Sequence, residues 1–414
     1  MNAIVDPKPS TRTTTMPTLD RFLRGRFTAQ LGGLAHGRLR IDDCLGTLEF
    51  GSANGPEVRV EVLDPAFYRM LAANGSVGAG EAWMDGLWRT DDLVALVQLL
   101  VRNRDLLDGM EGGLARLGGM ALRSWHALNR NTRAGSRRNI AVHYDLGNEF
   151  FKLFLSQDLM YSSAYWHEGD DLEAASQRKL ELICCKLELK PTDHVIEIGT
   201  GWGGFALYAA QHHGCRVTTT TISREQHALA SERIARAGLS DRVTLLLSDY
   251  RDLVGQYDKL VSIEMIEAIG AEYLDAYFSQ VGKLLKPDGL ALLQAITIED
   301  HRYAQALKAV DFIKRFVFPG CFIPSLNAML AAKTRASDLG LVAQEDFGDS
   351  YAHTLQAWRE RFLARLAEVR AQGFDDRFIR MWEFYLAYCE GGFRERSIGV
   401  SHLLLAKPQW RHAA

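Results

Sequence analysis

His194-Val195-Ile196-Glu197-Ile198-Gly199-Thr200-Gly201-Trp202-Gly203-Gly204 is the stretch on which the fold turns. A short apolar run with an acid near its end leads into packed glycines, then into a helical pattern of Phe205, Leu207, Tyr208, Ala209 and Ala210. That order predicts strand, tight turn and helix, with the glycines letting the backbone bend sharply and approach a ligand closely. Gly199, Gly201 and Gly204 also satisfy the dinucleotide pattern G-x-G-x-x-G, which alone is weak evidence. Two details turn the reading away from a nicotinamide cofactor. About twenty residues on, the dinucleotide fingerprint needs Asp or Glu for a ribose hydroxyl, and here stand Thr218-Thr219-Thr220-Thr221. Glu197, two residues before the first glycine, can instead meet a cationic ligand. A glycine turn beside an acid suits S-adenosylmethionine, which carries an ammonium and a sulfonium but no phosphate.

Outward from this turn, residues 140–300 alternate strand and helix patterns. The expected strands are His194–Ile198, Arg216–Thr220, Val243–Ser248, Lys259–Ile263 and Leu290–Ala295, and a last one, Ile398–Leu405, returns to the sheet. Such alternation predicts an α/β fold, a doubly wound Rossmann-like sheet. Ligands in these sheets bind at the carboxyl ends of the strands. Glu197, Thr221, Asp249, Glu264, Glu267 and Gln294 all fall at or just past those ends. The domain is expected over 140–414, with a helical insertion at about 301–394 forming a lid over an apolar pocket.

Upstream, 20–128 reads as a small α+β domain, with strands at Gly37–Ile41, Gly46–Phe50 and Val58–Val62 and helices at Pro65–Ala73 and Asp91–Val101. Residues 1–19, rich in Thr and Pro, read as a loose tail. Leu114, Leu117, Ala121, Trp125 and Leu128 share one helical face. Arg116, Arg123, Arg130, Arg133, Arg137 and Arg138 bring positive charge there and into a basic linker, 129–139, with no acid among them. A basic amphipathic segment can lie on an anionic lipid surface; the alternative is an ordinary surface helix followed by an arginine-rich linker.

With 414 residues, 47% hydrophobic and 24% charged, the chain has room for two globular domains. No apolar run reaches the roughly 18–20 residues of a membrane span. A net charge of −3 argues against a general nucleic-acid binder. The six cysteines have neither C-x-x-C nor Cys/His ligand spacing, which points to reduced thiols and no metal.

Several stretches together resemble the cyclopropane fatty acid synthase family of S-adenosylmethionine-dependent methyltransferases. They are His143-Tyr144-Asp145-Leu146-Gly147-Asn148, Tyr161-Ser162-Ser163-Ala164-Tyr165-Trp166, the glycine turn, Thr221-Ile222-Ser223-Arg224-Glu225-Gln226, Asp249-Tyr250 and Phe318-Pro319-Gly320. Gly80-Glu81-Ala82-Trp83-Met84-Asp85-Gly86 extends the likeness into the first domain. The resemblance implies that Glu197 with Gly199, Gly201, Trp202 and Gly203 holds the methionine part of S-adenosylmethionine. Thr221 and Gln226 would reach the ribose, Asp249 and Tyr250 would border the adenine, and Tyr161 and Ser162 would close over the donor. It further implies transfer of a methyl(ene) group to the cis double bond of an unsaturated phospholipid acyl chain at the inner face of the membrane. Loss of a proton from the new methyl closes a cyclopropane; loss from a chain carbon leaves a methyl-branched alkene. Tyr161, Tyr165, Trp166, Phe316 and Tyr351 are candidates to stabilise the intervening cation through their ring faces. A homodimer is one assembly left open, since the sequence does not fix the oligomeric state.

One part of the family pattern is changed. The synthases hold bicarbonate as base through a Cys, a Glu, a His and a Tyr, and the matching positions are Ser163, Glu267, Gln294 and Tyr351. Gln for His removes a group that titrates near neutrality. Glu264 stands where the family has Gly or another small residue, so two carboxylates lie three residues apart at a strand end, and one pKa should rise. The expectation is that Glu264 replaces bicarbonate wholly or in part, with Glu267 and Gln294 orienting it. The competing readings are a lipid-binding homologue that has lost the chemistry and a small-molecule methyltransferase.

Overall fold

The structure is a computed structural model and describes residues 15–108, 132, 135 and 146–412. Its contacts divide the chain into two units. One takes in Met1–Leu128, Lys308–Val317 and Trp358–Ser397; the other takes in Asn129–Leu307, Phe318–Ala357 and Ile398–Ala414. The basic stretch with Arg123, Arg130, Arg133, Arg137 and Arg138 lies outside the described residues, as does His143-Tyr144-Asp145.

The first unit carries a four-stranded sheet of β1 (Arg38–Asp43), β2 (Gly46–Gly51), β3 (Glu57–Val62) and β4 (Trp88–Thr90), in the order β2-β1-β3-β4. The helical pattern that begins near Pro65 runs on to Met84, with one break at Gly75, where φ is 56°. Only glycine takes that conformation without strain. The helix Asp376–Arg394 packs on Leu93–Arg102 and on Ala66–Met84. Gly391 makes the first contact possible, since a Cβ there would lie 2.6 Å from Val97 Cγ1. Trp83 Nε1 donates to Arg380 O at 3.1 Å across the second. The expected insertion at 301–394 is therefore not one body. Its distal helix, which buries Ile379, Trp382, Phe384 and Leu386, belongs to this first unit.

The second unit is built on a seven-stranded sheet. Its strands are β5 (His194–Ile198), β6 (Arg216–Thr221), β7 (Val243–Leu247), β8 (Tyr257–Ile263), β9 (Leu285–Ile298), β10 (Gly340–Asp346) and β11 (Ile398–Ala406). They run in the order β10-β11-β9-β8-β5-β6-β7, parallel from β9 through β7, with β11 antiparallel to both neighbours. Leu290 to Ala295 is buried without alternation, as a strand covered on both faces requires. One face packs on Leu274–Leu284 and Leu326–Ala336 through Tyr277, Phe278, Val281 and Met329. The other packs on Leu172–Lys186 and Gly204–His212 through Leu180, Ile183, Phe205 and Ala209. The four threonines of β6 are buried and bonded: Thr218 to His194, Thr219 to Glu197, Thr220 to Ser248 O and Thr221 to Gln226. Hydroxyls inside a sheet persist only with such partners.

Candidate active site

At the end of β5 the chain turns through Gly199, Gly201 and Gly203, all with positive φ, into the helix Gly204–His212. Gly201 has φ 53°, and a Cβ built on it would meet nothing within 4 Å. The turn thus borders open space. Gly204 is the opposite case: a Cβ there would land 2.5 Å from Met160 Sδ, so glycine lets the helix start close beneath that segment. Glu197 is 2% exposed and accepts the Thr219 hydroxyl at 2.6 Å. Burial pushes its carboxyl up to about 8, opposed by the Thr219 bond and the Lys179 ammonium. A buried carboxyl with one hydroxyl donor gains most from a cationic ligand, and the open turn provides room for one. These residues therefore fit S-adenosylmethionine.

The other expected cofactor residues are engaged as follows. The Thr221 hydroxyl donates to Gln226 Oε1 at 2.8 Å, so these two side chains hold each other. Asp249 caps the turn after β7 and receives Arg251 on both oxygens, at 2.8 and 2.7 Å. Tyr250 packs its ring 5.7 Å from Tyr277 in the core, and its buried hydroxyl has no partner in the protein. Trp202 Nε1 donates to Asn148 Oδ1 at 2.7 Å, with its ring 4.9 Å from Phe151, which also touches Tyr161 at 5.3 Å. Ser162 accepts from Lys179 Nζ at 2.7 Å.

The second cluster gathers at the ends of β8 and β9. Glu264 Oε1 accepts the Ser163 backbone N–H at 2.9 Å and the Gln294 amide at 2.7 Å; its Oε2 accepts the Tyr351 hydroxyl at 2.7 Å. Ser163 thus acts through its main chain, while its hydroxyl donates to Ala164 O at 2.8 Å. Glu264 takes φ 48°, a left-handed conformation that costs a non-glycine residue about 1–2 kcal/mol. Its own N–H bonds Gln294 O at 2.8 Å, and with the three donors on its carboxylate this holds the residue there. By exposed area the residue is only half-buried, yet so much protein surrounds its carboxyl that burial is the strongest influence and raises its pKa. The bonds from Tyr351, Ser163 and Gln294 and the Lys179 charge hold it back.

Glu267 does not bond Glu264. Its Oε1 accepts the Ile296 N–H at 2.5 Å, and its Oε2 is buried with no partner in the protein. Burial first, and the Glu264 charge second, push it up to about 8. Gln294 orients Glu264 directly; Glu267 reaches it only through charge. The aromatic candidates also separate. Tyr351 touches Glu264, Tyr165 donates to Glu345 at 2.8 Å, Trp166 Nε1 donates to Thr354 at 2.9 Å, and Phe316 belongs to the first unit. The donors expected to hold bicarbonate (Ser163 N–H, Gln294 and Tyr351) all end on Glu264, so the residues present do not fit that ion.

Two residues absent from the sequence reading belong here. Lys179 is fully buried, and burial lowers its pKa to about 8 against the pull of Asp158, Glu264 and Glu197. His402, 1% exposed on β11, lies opposite Gln294 in the sheet, its Nε2 3.0 Å from Gln294 Oε1.

A glycine turn that fits a sulfonium nucleoside, on a sheet of this order, defines an S-adenosylmethionine-dependent methyltransferase. Residues 131–403 match the family described as mycolic acid cyclopropane synthetase, and the chain belongs to that family. It is 38% identical over 352 residues to the cyclopropane-fatty-acyl-phospholipid synthase of Escherichia coli K12, covering 84% of this chain and 87% of that one. It is 37% identical over 344 residues to tuberculostearic acid methyltransferase UfaA1 of Mycobacterium tuberculosis, covering 81% and 80%. Among solved structures, the mycolic acid cyclopropane synthase CmaA1 complexed with SAH and CTAB aligns with a TM-score of 0.61 at 28% identity, over 66% of this chain and 98% of that one. The relatives are thus cyclopropane synthases and related lipid methyltransferases.

Proposed function

We propose that this chain methylates the cis double bond of an unsaturated phospholipid acyl chain, with Glu264 as the base. The observation that supports this most is the Glu264 carboxylate, which gathers the Ser163, Gln294 and Tyr351 donors onto itself. Bound at the glycine turn, S-adenosylmethionine supplies an electrophilic methyl on sulfur. The double bond would contribute its electron pair to a new bond with that methyl carbon as the sulfur–methyl bond breaks. The pair of the broken bond stays on sulfur in departing S-adenosylhomocysteine, and the adjacent chain carbon would be left a cation. Glu264 then takes the proton whose loss quenches that cation. Oε1 carries two donors and Oε2 carries one, so Oε2 is the oxygen with a lone pair left to receive it. Burial raises this carboxyl and three hydrogen bonds hold the rise back, and a carboxylate of raised basicity is the better proton acceptor.

When the proton leaves the new methyl, the carbanion-like electron pair closes a cyclopropane, which is the proposed product. A methyl-branched alkene is the second reading. It is favoured by the replacement of a free ion with a side chain tethered to β8, and by the extent of the match to a tuberculostearic acid methyltransferase. Feeding methyl-deuterated methionine to expressing cells and analysing membrane fatty acids tests both. An adduct that keeps two deuterons and has lost the double bond is the ring, an adduct that keeps three deuterons and a double bond is the branched alkene, and no adduct defeats the proposal.

The substrate lies in a bilayer, and among the described residues no helix is long and apolar enough to cross one. Lipid contact is assigned to Arg123, Arg130, Arg133, Arg137 and Arg138, at about 1 kcal/mol per basic residue near an anionic surface.

A further inference from the structure

Gln294 occupies the family's His position, and a histidine stands beside it on the neighbouring strand. The β9–β11 register sets His402 directly opposite Gln294. The side chains continue in a line: Lys186 Nζ lies 2.9 Å from His402 Nδ1, His402 Nε2 lies 3.0 Å from Gln294 Oε1, and Gln294 Nε2 lies 2.7 Å from Glu264 Oε1. Lys186 is itself tied to Glu345, which also accepts the Tyr165 hydroxyl at 2.8 Å.

The chemistry of these groups allows only one direction of donation. An ammonium has donors and no acceptor, so His402 Nδ1 must accept from Lys186. The ring proton then sits on Nε2 and donates to Gln294 Oε1. With its oxygen so occupied, the amide can present only its NH2 to Glu264, whose carboxylate is an acceptor. A protonated imidazole would set a second donor against Lys186. The ring is kept neutral by burial and by the Lys186 and Lys179 charges, which move its pKa well below the usual value.

We propose that His402, fixed by Lys186, is a positioning residue that holds the Gln294 amide with its NH2 toward Glu264. This rests on the reading of Glu264 as base. The Glu264 carboxylate and the Ser163 carbonyl, 3.3 Å from Gln294 Nε2, already favour the NH2 on their side. His402 adds a donor that only the amide oxygen can accept, so turning the amide over loses bonds at both ends and sets lone pairs against each other. The chain does not carry the abstracted proton, because a glutamine amide in its path is a poor relay. It sets which oxygen of Glu264 is saturated and where the other one points.

The test measures kcat, and KM for S-adenosylmethionine, on vesicles of unsaturated phospholipid for His402→Phe, His402→Gln and Lys186→Met. Each is made in the unaltered enzyme and in a Gln294→Leu background. His402→Phe keeps an aromatic ring against Phe347, which packs on His402 at 4.6 Å, and Lys186 reaches the surface. His402→Phe and Lys186→Met should each lower kcat about tenfold, the rate equivalent of one hydrogen bond, with KM unchanged. His402→Gln, which keeps an N–H donor, should recover part of the loss. In the Gln294→Leu background neither substitution should matter, because coupled residues are non-additive. Equal losses in both backgrounds, or none in either, overturn the proposal. Glu264→Gln runs alongside: if it retains full turnover, the base assignment fails. The tautomer of His402, read from ¹⁵N spectra of the unliganded enzyme, then decides the positioning claim alone. A proton on Nε2 supports it, and a proton on Nδ1 overturns it.

Discussion

Glu197 and Glu264 are two buried carboxyl groups at the ends of β5 and β8, and their surroundings differ. Glu197 has one donor, the Thr219 hydroxyl, and burial takes it to about 8. Glu264 has three donors that offset its burial. The first is under-satisfied beside an open glycine turn; the second is satisfied by the protein in advance. A carboxyl left short of partners awaits a charged ligand, whereas one already solvated by fixed dipoles is prepared to exchange a proton. Both pKa values are raised, and the direction of the shift alone would have made the two look alike.

The comparison breaks most sharply at Glu264. Glu264→Gln keeps the size and most of the hydrogen bonds but cannot accept the proton. Turnover should fall by about 10²–10⁴-fold while calorimetry finds S-adenosylmethionine affinity within about twofold of the unaltered enzyme. Bicarbonate depletion should leave the unaltered enzyme's rate unchanged. A rate that collapses on depletion and survives Glu264→Gln would reverse the assignment.

Glu197 should behave the other way. Glu197→Ala should weaken cofactor binding by about 10²-fold, within the range for removing one partner of a buried charge pair. Gly201→Val, which sends a branched side chain into the open space of the turn, should abolish binding. The pH dependence sharpens the point. Below about 8 the free Glu197 carboxyl holds a proton that a cationic ligand must displace. Affinity should therefore drop about tenfold per unit as pH falls from 7.5 to 6, with proton release on binding, and Glu197→Gln should flatten that slope. Calorimetry in two buffers of different ionisation enthalpy measures both.

The smallest effect concerns Glu267, whose Oε2 is buried without a partner in the protein. Its pKa is raised from 4.5 to about 8 in the folded protein. Its contribution to stability is accordingly complete below about 4.5 and is lost as pH rises through about 8. Glu267→Gln should leave Tm nearly unchanged at pH 4.5 and raise it increasingly up to pH 9, by an amount worth a few kcal/mol at most. An equal shift at both pH values would mean that Glu267 acts through packing instead.

The cofactor end was legible because it is local: acid, glycines and helix follow within eleven residues. The core strands were legible for a similar reason, since burial on both faces leaves continuous apolar runs. β10 was not, because most of its residues are exposed at a sheet edge and carry no pattern. The helix through Gly75 to Met84 was hidden by its glycines. Ser163, Glu264, Gln294 and Tyr351 come from four separate segments; Glu264 and Gln294 stood at strand ends, while Ser163 and Tyr351 emerged only through family resemblance. Lys179 sits between Arg178 and Leu180 on an amphipathic helix, where a lysine normally reads as solvent-facing, and only the packing of that helix encloses it. His402 becomes a neighbour of Gln294 solely because the last strand pairs with β9, which no spacing along the chain announces.

That last strand has a consequence for how the enzyme comes into being. β11 enters between β9 and β10, both synthesised earlier, so the ribosome must deliver the chain through Ala406 before the sheet can close. Until then β9 has an unpaired edge with a row of free amides and carbonyls, a template for mispairing. Pairing so distant in sequence is also slow to form. Since His402 arrives with that strand, a nascent chain able to grip its cofactor would still lack a finished proton acceptor. Competence to bind and competence to react are thus separated in time by the order of synthesis.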